Sequence, residues 1–388
     1  VGSCTSGGTE SNLCAVKAVR DWCREHKPNI TEPEMIVPRT AHPSFHKACQ
    51  YFGIKPVITG FDPVSFRANV SEMRDAITRN TIMLIASAPG YAQGVVDPIP
   101  EIGQLAIDND LHFHVDGCVG GIHLSLWRRM GGYEGPPFDF SVPGVTSISA
   151  DMHKYGYAPK NISTVLYKDK ALRKYAIFSC RATTTYALIN PTVLSTKSGG
   201  PLAGAWALMH YLGQEGYADI VGPVMDATRR LVDGVNAIDG LRVLGDPEMC
   251  MFSFTADDFN IFELADAVRS RGWYIQPQFS TDLSPANLHI TVVRASVPVV
   301  NEFLAMLREA VAEVRANPSP INAGAIRTQV QSLVAGLGAG AADQLKAMAG
   351  LDGADLPQGM ALINTVMDAL PDELAEAMLT EFINDLYV

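Results

Sequence analysis

Short apolar runs alternate with helical periodicities from residue 1 to about 170, and few architectures accept that alternation. Residues 11–25 bring Leu13, Val16 and Val19 round at helical spacing, which predicts a helix. Residues 35–37 and 56–59 are short strand candidates. Asn69 caps a further helix with Glu72 three residues on, and Val70, Met73 and Ile77 form its apolar stripe. The continuous apolar run at 81–87 reads as a buried strand, 98–109 as a helix, and 111–116, 145–150 and 163–167 as strands. Strands alternating with helices predict a mostly parallel α/β sheet. Ligands of such sheets gather beyond the carboxyl ends of the strands.

Residues 197–215 read as a helix entered through Gly199, Gly200 and Pro201. From about residue 220 the pattern changes. Short strands at 242–244, 251–254, 274–276 and 289–293 mix with amphipathic helices at 261–271 and 299–315, as in a smaller α+β domain. After Asn317-Pro318-Ser319-Pro320 the chain is rich in Ala and Gly and reads as largely helical to Tyr387. The expected organisation is a large domain over 1–218, a small α+β domain over 219–318 and a helical tail over 319–388. The first residue is Val1, and no signal peptide is visible, so part of the N-terminal region is expected to be missing.

Composition narrows the function classes. Of 388 residues, 47% are hydrophobic, too many for intrinsic disorder. The net charge of −11 makes phosphate-backbone binding to nucleic acid unfavourable. No apolar run reaches the ~18 residues a membrane span needs. The seven cysteines are scattered and form no Cys-x-x-Cys pair, which fits a reducing cytoplasm better than a disulfide scaffold.

Three motifs carry chemistry. Ser6-Gly7-Gly8-Thr9-Glu10-Ser11 runs directly into a helix. Its glycines let backbone amides converge, and the helix N-terminus favours an anion such as phosphate, with the Thr9 hydroxyl assisting. An ordinary capped helix start after a glycine turn gives the same pattern. In His112-Phe113-His114-Val115-Asp116-Gly117, alternate residues share one strand face. That raises a metal-hydrolase reading, since the run is similar to the His-x-His-x-Asp-His of metallo-β-lactamase-type enzymes. Gly117 stands where the last histidine belongs, and no second His and carboxylate pair completes the ligand set. The other reading is an acid aimed from a strand end into a ligand pocket. Finally, residues 147–156 (SISADMHKYG) end a strand in a turn presenting His153 and Lys154. A lysine held there in a pocket can lose its proton and form a Schiff base, whereas most lysines in loops are solvated.

A phosphate-type loop, an acid after one strand and a lysine after another are what pyridoxal 5'-phosphate requires. The order of these motifs resembles the group II decarboxylase superfamily of fold type I, nearest to sphingosine-1-phosphate lyase and its bacterial relatives. The matching stretches are SGGTES (6–11), AHPSFHKA (41–48), YFGIKP (51–56), APGYAQGVVDPIPEI (88–102), HVDGCVGG (114–121), residues 137–160 and GQEGY (213–217). They cover the first ~220 residues densely, a specific set whose weight falls on the cofactor region.

The resemblance implies a role for each matching residue. Lys154 would carry the cofactor as a Schiff base, Asp116 would pair with its ring nitrogen, and His42 would lie against its ring. Gly8 and Thr9, with His153 beside them, would bind its phosphate. Lys160 would serve proton transfer or substrate contact, and Tyr91 would line the entrance. Gly199 would reach a neighbour's cofactor phosphate in a homodimer.

The sequence also departs from the family. Gly117 replaces the usual Ala beside the acid, and Asn161 the usual Gly after the second lysine. Residues 182–186 (ATTTY) and 195–199 (STKSG) replace Trp-x-Gly-Gly-x-Tyr and Gly-Ser-Arg-x-Gly stretches, bringing Tyr186 and Lys197 into the substrate region. A lysine is a flexible point charge where arginine offers a bidentate fork, so a shorter, more polar substrate than a long-chain sphingoid phosphate is expected. The expected function is a carbon–carbon lyase acting on a small-molecule amine. An amino-acid decarboxylase is the alternative. A metal-dependent hydrolase and a non-catalytic binder are the remaining classes.

Overall fold

The computed structural model describes residues 1–317, 322–337, 344–345 and 359–385. The chain forms two compact units. The first comprises 1–228 with 245–251, and the second comprises 229–244 with 252–388. The sequence placed the first boundary after residue 218, ten residues earlier. The reading of a helical tail to Tyr387 falls partly on 318–321, 338–343, 346–358 and 386–388, which lie outside the described residues.

In the first unit seven strands form one sheet in the order β1-β7-β6-β5-β4-β2-β3. They are β1 (Gly2–Thr5), β2 (Glu34–Pro38), β3 (Lys55–Thr59), β4 (Thr81–Ser87), β5 (His112–Asp116), β6 (Ser147–Ala150) and β7 (Ser163–Tyr167). The pairings from β3 through β6 are parallel, and β7 runs antiparallel to both β6 and β1. The expected mostly parallel sheet is therefore present. Every residue of β2, β4 and β6 is buried, as expected for strands covered on both faces.

Helix α1 (Gly8–His26) buries Leu13, Cys14, Val16 and Val19 against this sheet's core, with Met35, Val37, Ile82 and Tyr167 in the same cluster. Helix α2 (Ser44–Phe52) was not foreseen, although Phe45, Ala48 and Cys49 recur at helical spacing and are buried. It ends at Gly53, whose φ of 63° is the left-handed cap that glycine takes without strain. Helix α3 (Val70–Asp75) is capped as expected, with the Asn69 side chain accepting from the amides of Ser71 and Glu72. It stops before Ile77. Helices α4 (Ile99–Asp108) and α5 (Gly120–Arg129) follow β4 and β5, and the short α6 (Lys170–Arg173) follows β7. A two-stranded hairpin, β8 (Phe178–Cys180) with β9 (Leu188–Asn190), comes next. Helix α7 (Gly199–Asn236) is two helices joined at Gly213, which is non-helical.

In the second unit β10 (Leu241–Leu244), β11 (Met251–Ala256), β12 (Gln276–Gln278) and β13 (Asn287–Thr291) form a sheet in the order β10-β11-β13-β12. Helices α8 (Ile261–Ser270) and α9 (Val300–Ala316) bury Leu264, Val268, Leu307 and Val311. Helices α10 (Ala323–Leu337), α11 (Ala361–Asp368) and α12 (Asp372–Asp385) share a small core that includes Val330, Ile363, Val366 and Leu370.

Phe45 is fully buried, and its ring meets the His114 ring edge-on at 5.8 Å. Phe45→Ala is expected to lower unfolding stability by about 3–5 kcal/mol, because the vacated space is walled by sheet and helix. Urea unfolding of the purified variant measures it.

Candidate active site

The loops beyond β2, β4, β5 and β6, with the turn from β1 into α1, surround a cavity of about 450 Å³. Eight of the predicted residues line it: Gly8, Thr9, His42, Tyr91, Asp116, His153, Lys154 and Lys160. Parallel strands bring their carboxyl ends to one edge, so residues far apart in sequence meet there.

Asp116 closes β5 and is buried. Its carboxylate accepts from Asn12 Nδ2 at 3.1 Å, from the Cys118 amide at 3.0 Å and from Ser149 Oγ at 3.3 Å. Burial pushes this acid upward. The Cys118 amide, the His114 ring and the Lys154 ammonium outweigh it and hold the group below its ordinary value. Asp116 is therefore a buried, ionised acceptor at physiological pH.

Asn12 connects this acid to the rest of the floor. It also donates to Ser44 Oγ at 2.9 Å, and its Oδ1 lies 3.2 Å from His114 Nε2. Ser44 in turn gives its amide to His42 Nδ1 at 3.1 Å, so Nε2 carries the proton of neutral His42. Burial, with Lys154 nearby, lowers the His42 pKa against the opposing pull of Asp116. The metal reading fails on the same contacts. His114 is spent on Asn12, Ser147 and Ser149, and His112 packs edge-on against Trp22 at 4.6 Å. No group of three or more His, Cys, Asp or Glu side chains among the described residues is arranged to hold a metal.

Lys154 projects from the turn after β6. Its Nζ lies 2.9 Å from the Asp151 carboxylate, whose side chain is 1% exposed. Burial alone would lower the Lys154 pKa. Asp151, Cys118 and Asp116 together raise it above the ordinary lysine value. His153 donates from Nδ1 to the Ile162 carbonyl at 2.7 Å, leaving Nε2 3.7 Å from Asp151.

Gly199, Tyr186 and Lys197 are not among the residues lining this cavity. Tyr186 is 77% exposed, and Gly199 opens α7 with open space around it. Lys197 bonds to Thr192 Oγ1 and the Leu194 carbonyl. Their segment is tied to the site by Glu10, which accepts from the Ser6 amide at 2.6 Å and the Leu194 amide at 2.7 Å.

Sequence reasoning missed Asn12, Asp151, Ser44 and Glu10. Asp151 stood in a matched stretch three residues before the lysine, a spacing that a single turn turns into contact. The contacts of Asn12 with Ser44 and Asp116 carried no signal, because these partners are more than thirty residues away.

The two single-residue departures from the family have a local cause. A Cβ at Gly117 would lie 2.8 Å from the Ser149 carbonyl, so the chain needs glycine there. Asn161 has φ of 71°, the left-handed conformation that favours glycine and, after it, asparagine.

Two observations test the fit of pyridoxal phosphate. A Cβ on Gly8 would strike Cys118 Sγ at 2.7 Å and Asp151 at 2.9 Å, so only glycine lets the amides at the start of α1 close over the floor. Asp151 Oδ1 is buried with no hydrogen-bond partner, beside the lysine. An ionised acid, a lysine and a helix N-terminus converging at the carboxyl edge define a pyridoxal-phosphate-dependent protein of fold type I. The comparisons agree. The pyridoxal-dependent decarboxylase conserved domain matches residues 1–257, and a pyridoxal-dependent enzyme C-terminal putative HTH domain matches 324–385. The chain belongs to the pyridoxal-dependent decarboxylase family.

Sphingosine-1-phosphate lyase of Arabidopsis thaliana is 46% identical over 83% of this chain and 58% of its own length. A probable L-tyrosine/L-aspartate decarboxylase of Methanothermobacter thermautotrophicus is 33% identical over 71% of this chain and 73% of its own. The solved sphingosine-1-phosphate lyase of Burkholderia pseudomallei aligns with a TM-score of 0.78 at 37% identity, covering 86% of this chain and 74% of that one. The chain thus spans less than three fifths of the length of the plant lyase it matches.

His114 and His123 are fully buried, and burial pulls both down to about 4. Both folded values lie below the unfolded one, so the unfolded state binds more protons between about pH 6.5 and 4. Their contribution to stability is therefore full above pH ~6.5 and falls as pH drops through that window, by up to about 1.4 kcal/mol per pH unit for each histidine, against the opposite pull of buried Asp97, whose pKa burial raises to about 6. Urea midpoints measured from pH 7 to 4.5 test this, and His123→Phe is expected to flatten the slope.

Proposed function

We propose that the chain carries the cofactor domain of a pyridoxal-phosphate-dependent carbon–carbon lyase of the sphingosine-1-phosphate lyase type. The observation that carries this is the convergence of Lys154, Asp116 and His42 on one cavity over a glycine-lined helix start. The likeness to curated lyases across most of the chain supports it.

When bound, pyridoxal phosphate supplies a sink for the electron pair released as a bond at the substrate's α-carbon breaks. The chain's own residues do the rest. The amides of Gly8 and Thr9, with His153, would hold the cofactor's phosphate, and Asp116 would keep its ring nitrogen protonated. His42, whose orientation is set by Ser44, would lie against that ring. Lys154 would anchor the cofactor and, when free, would move a proton. Lys160 and Tyr91 meet the substrate at the mouth.

The protein acts as a homodimer in this reading. Phe178, Tyr186, Ile189, Leu202, Trp206 and Met209 are each exposed on the hairpin and the first half of α7, and large apolar side chains left in water suit a subunit interface. A second copy seated there would bring Gly199, Tyr186 and Lys197 to a neighbour's cavity. Nucleic acid does not fit: residues 324–385 carry nine acidic side chains against two basic ones. No described helix is long and apolar enough to cross a membrane, and the seven cysteines are free, in keeping with a cytoplasmic enzyme.

The decarboxylase reading draws on Thr183, Thr184 and Thr185, branched polar side chains suited to a short substrate, and on the likeness to the archaeal decarboxylase. Cleavage of Cα–Cβ and loss of carboxylate need the same cofactor residues, so the substrate decides.

Lys154→Ala is expected to keep its fold by circular dichroism and to lose turnover by more than about a thousandfold. Retention of wild-type activity sinks the assignment. Trp206→Glu is expected to give a monomer by light scattering; an unchanged dimer places the interface elsewhere. On substrates, the specificity constant for a long-chain sphingoid phosphate is expected below that of the best amino acid or short phosphorylated amino alcohol tested. A lipid value above all of these overturns the expectation of a short substrate.

A further inference from the structure

Asp151 has no part in the roles above, yet it is the group closest to the cofactor lysine. Its carboxylate is buried beneath Gly8, one oxygen meets Lys154 Nζ at 2.9 Å, and the other has no partner. We propose that Asp151 is the positioning residue of Lys154, a buried counter-ion that parks the ammonium on the cavity floor and sets the pH at which the lysine becomes free to take the cofactor. The inference rests on the pyridoxal-phosphate reading of the site.

The argument is geometric. Asp151 sits three residues before Lys154, and its amide is held by the Cys118 carbonyl at 3.1 Å, which anchors the turn to the loop after β5. The groups facing the pair are few. His153 Nε2 is 3.7 Å from Asp151 on the same turn, and Cys118 and Asp116 approach from the β5 loop. His42 stands across the cavity and feels both charges. Cys118 is driven well above its usual range by burial and by the two acids, so it stays a neutral thiol. Asp116 is engaged by Asn12 and the Cys118 amide. That leaves Asp151 as the one carboxylate in direct contact with the ammonium among the described residues. An opposite charge at such a distance moves a titration midpoint by about 1–3 pH units.

Capture of the cofactor balances simply. The ammonium gives one proton to solvent. The neutral amine nitrogen then bonds the aldehyde carbon, and the carbonyl oxygen leaves as water with the two remaining amine protons. Only the neutral amine reacts, so the rate near pH 7 follows its fraction, changing about tenfold for each pH unit by which the midpoint moves.

The test uses the full-length chain freed of cofactor. Pyridoxal phosphate is added from pH 6 to 10, and the absorbance of the lysine-bound form is followed against time. Asp151→Asn keeps the side chain's shape and removes its charge. It is expected to move the midpoint of the rate profile down by about one pH unit or more and to raise the rate at pH 7 about tenfold or more. An unchanged midpoint overturns the proposal. Should the variant fail to fold, labelling of Lys154 in the wild-type protein by trinitrobenzenesulfonate, read by mass spectrometry against pH, decides alone. A midpoint above that of exposed lysines supports the counter-ion, and one at or below it overturns it. If wild-type protein never develops the absorbance while Lys154 labels normally, the cofactor reading fails instead.

Discussion

A buried carboxylate must be supplied with donors or give up its charge, and the first unit is organised around meeting that demand at Asp116. Its partners come from α1 through Asn12, from the β5 loop through the Cys118 amide, and from β6 through Ser149. Losing one partner of a buried charged hydrogen bond costs about 1–3 kcal/mol or more, so these elements hold one another in register. The same amide of Asn12 passes the constraint to Ser44, and Ser44 orients His42. Helix α1 thus contributes its glycine-lined N-terminus to the cavity and, one turn later, a donor to the buried acid.

Across the cavity the second pair obeys a different logic. Asp151 and Lys154 neutralise each other at the floor, while Gly8 lets the backbone approach them more closely than any side chain would allow. One acid is fixed mainly by neutral donors, the Asn12 amide, the Cys118 amide and the Ser149 hydroxyl, with the lysine as a more distant charge. The other is matched to the lysine itself, so its surroundings change when that amine is used. Two carboxylates in one cavity are separated in role by their hydrogen bonds rather than by residue type.

The segment after the hairpin shows how a site extends beyond its first cavity. Glu10 lines the cavity and gives one oxygen to the Ser6 amide and the other to the Leu194 amide. A carboxylate satisfies both donors, whereas an amide side chain would turn its own N–H groups toward one of them. The segment that carries Lys197 is therefore tied to the glycine loop at the start of α1, even though Lys197 itself faces Thr192.

Local pattern made much of this legible. The alternation of strand and helix signals is a property of consecutive residues, and it yielded the parallel sheet and the edge at which the cavity lies. Contiguous motifs yielded Gly8, Thr9, Asp116, His153 and Lys154, because a glycine turn, a strand end and a His-Lys turn are each short. Helix α2 escaped, since its nine residues lie within a stretch read for its motif and not for its period. What tertiary structure alone decided is the pairing. Asn12 with Asp116 and with Ser44, Glu10 with Leu194, and the exclusion of Lys197 from its own chain's cavity all depend on where loops from distant strands land. Periodicity records which face of an element is apolar and carries no record of which polar atom waits on the far side of a sheet, so those contacts exist only once the chain has closed.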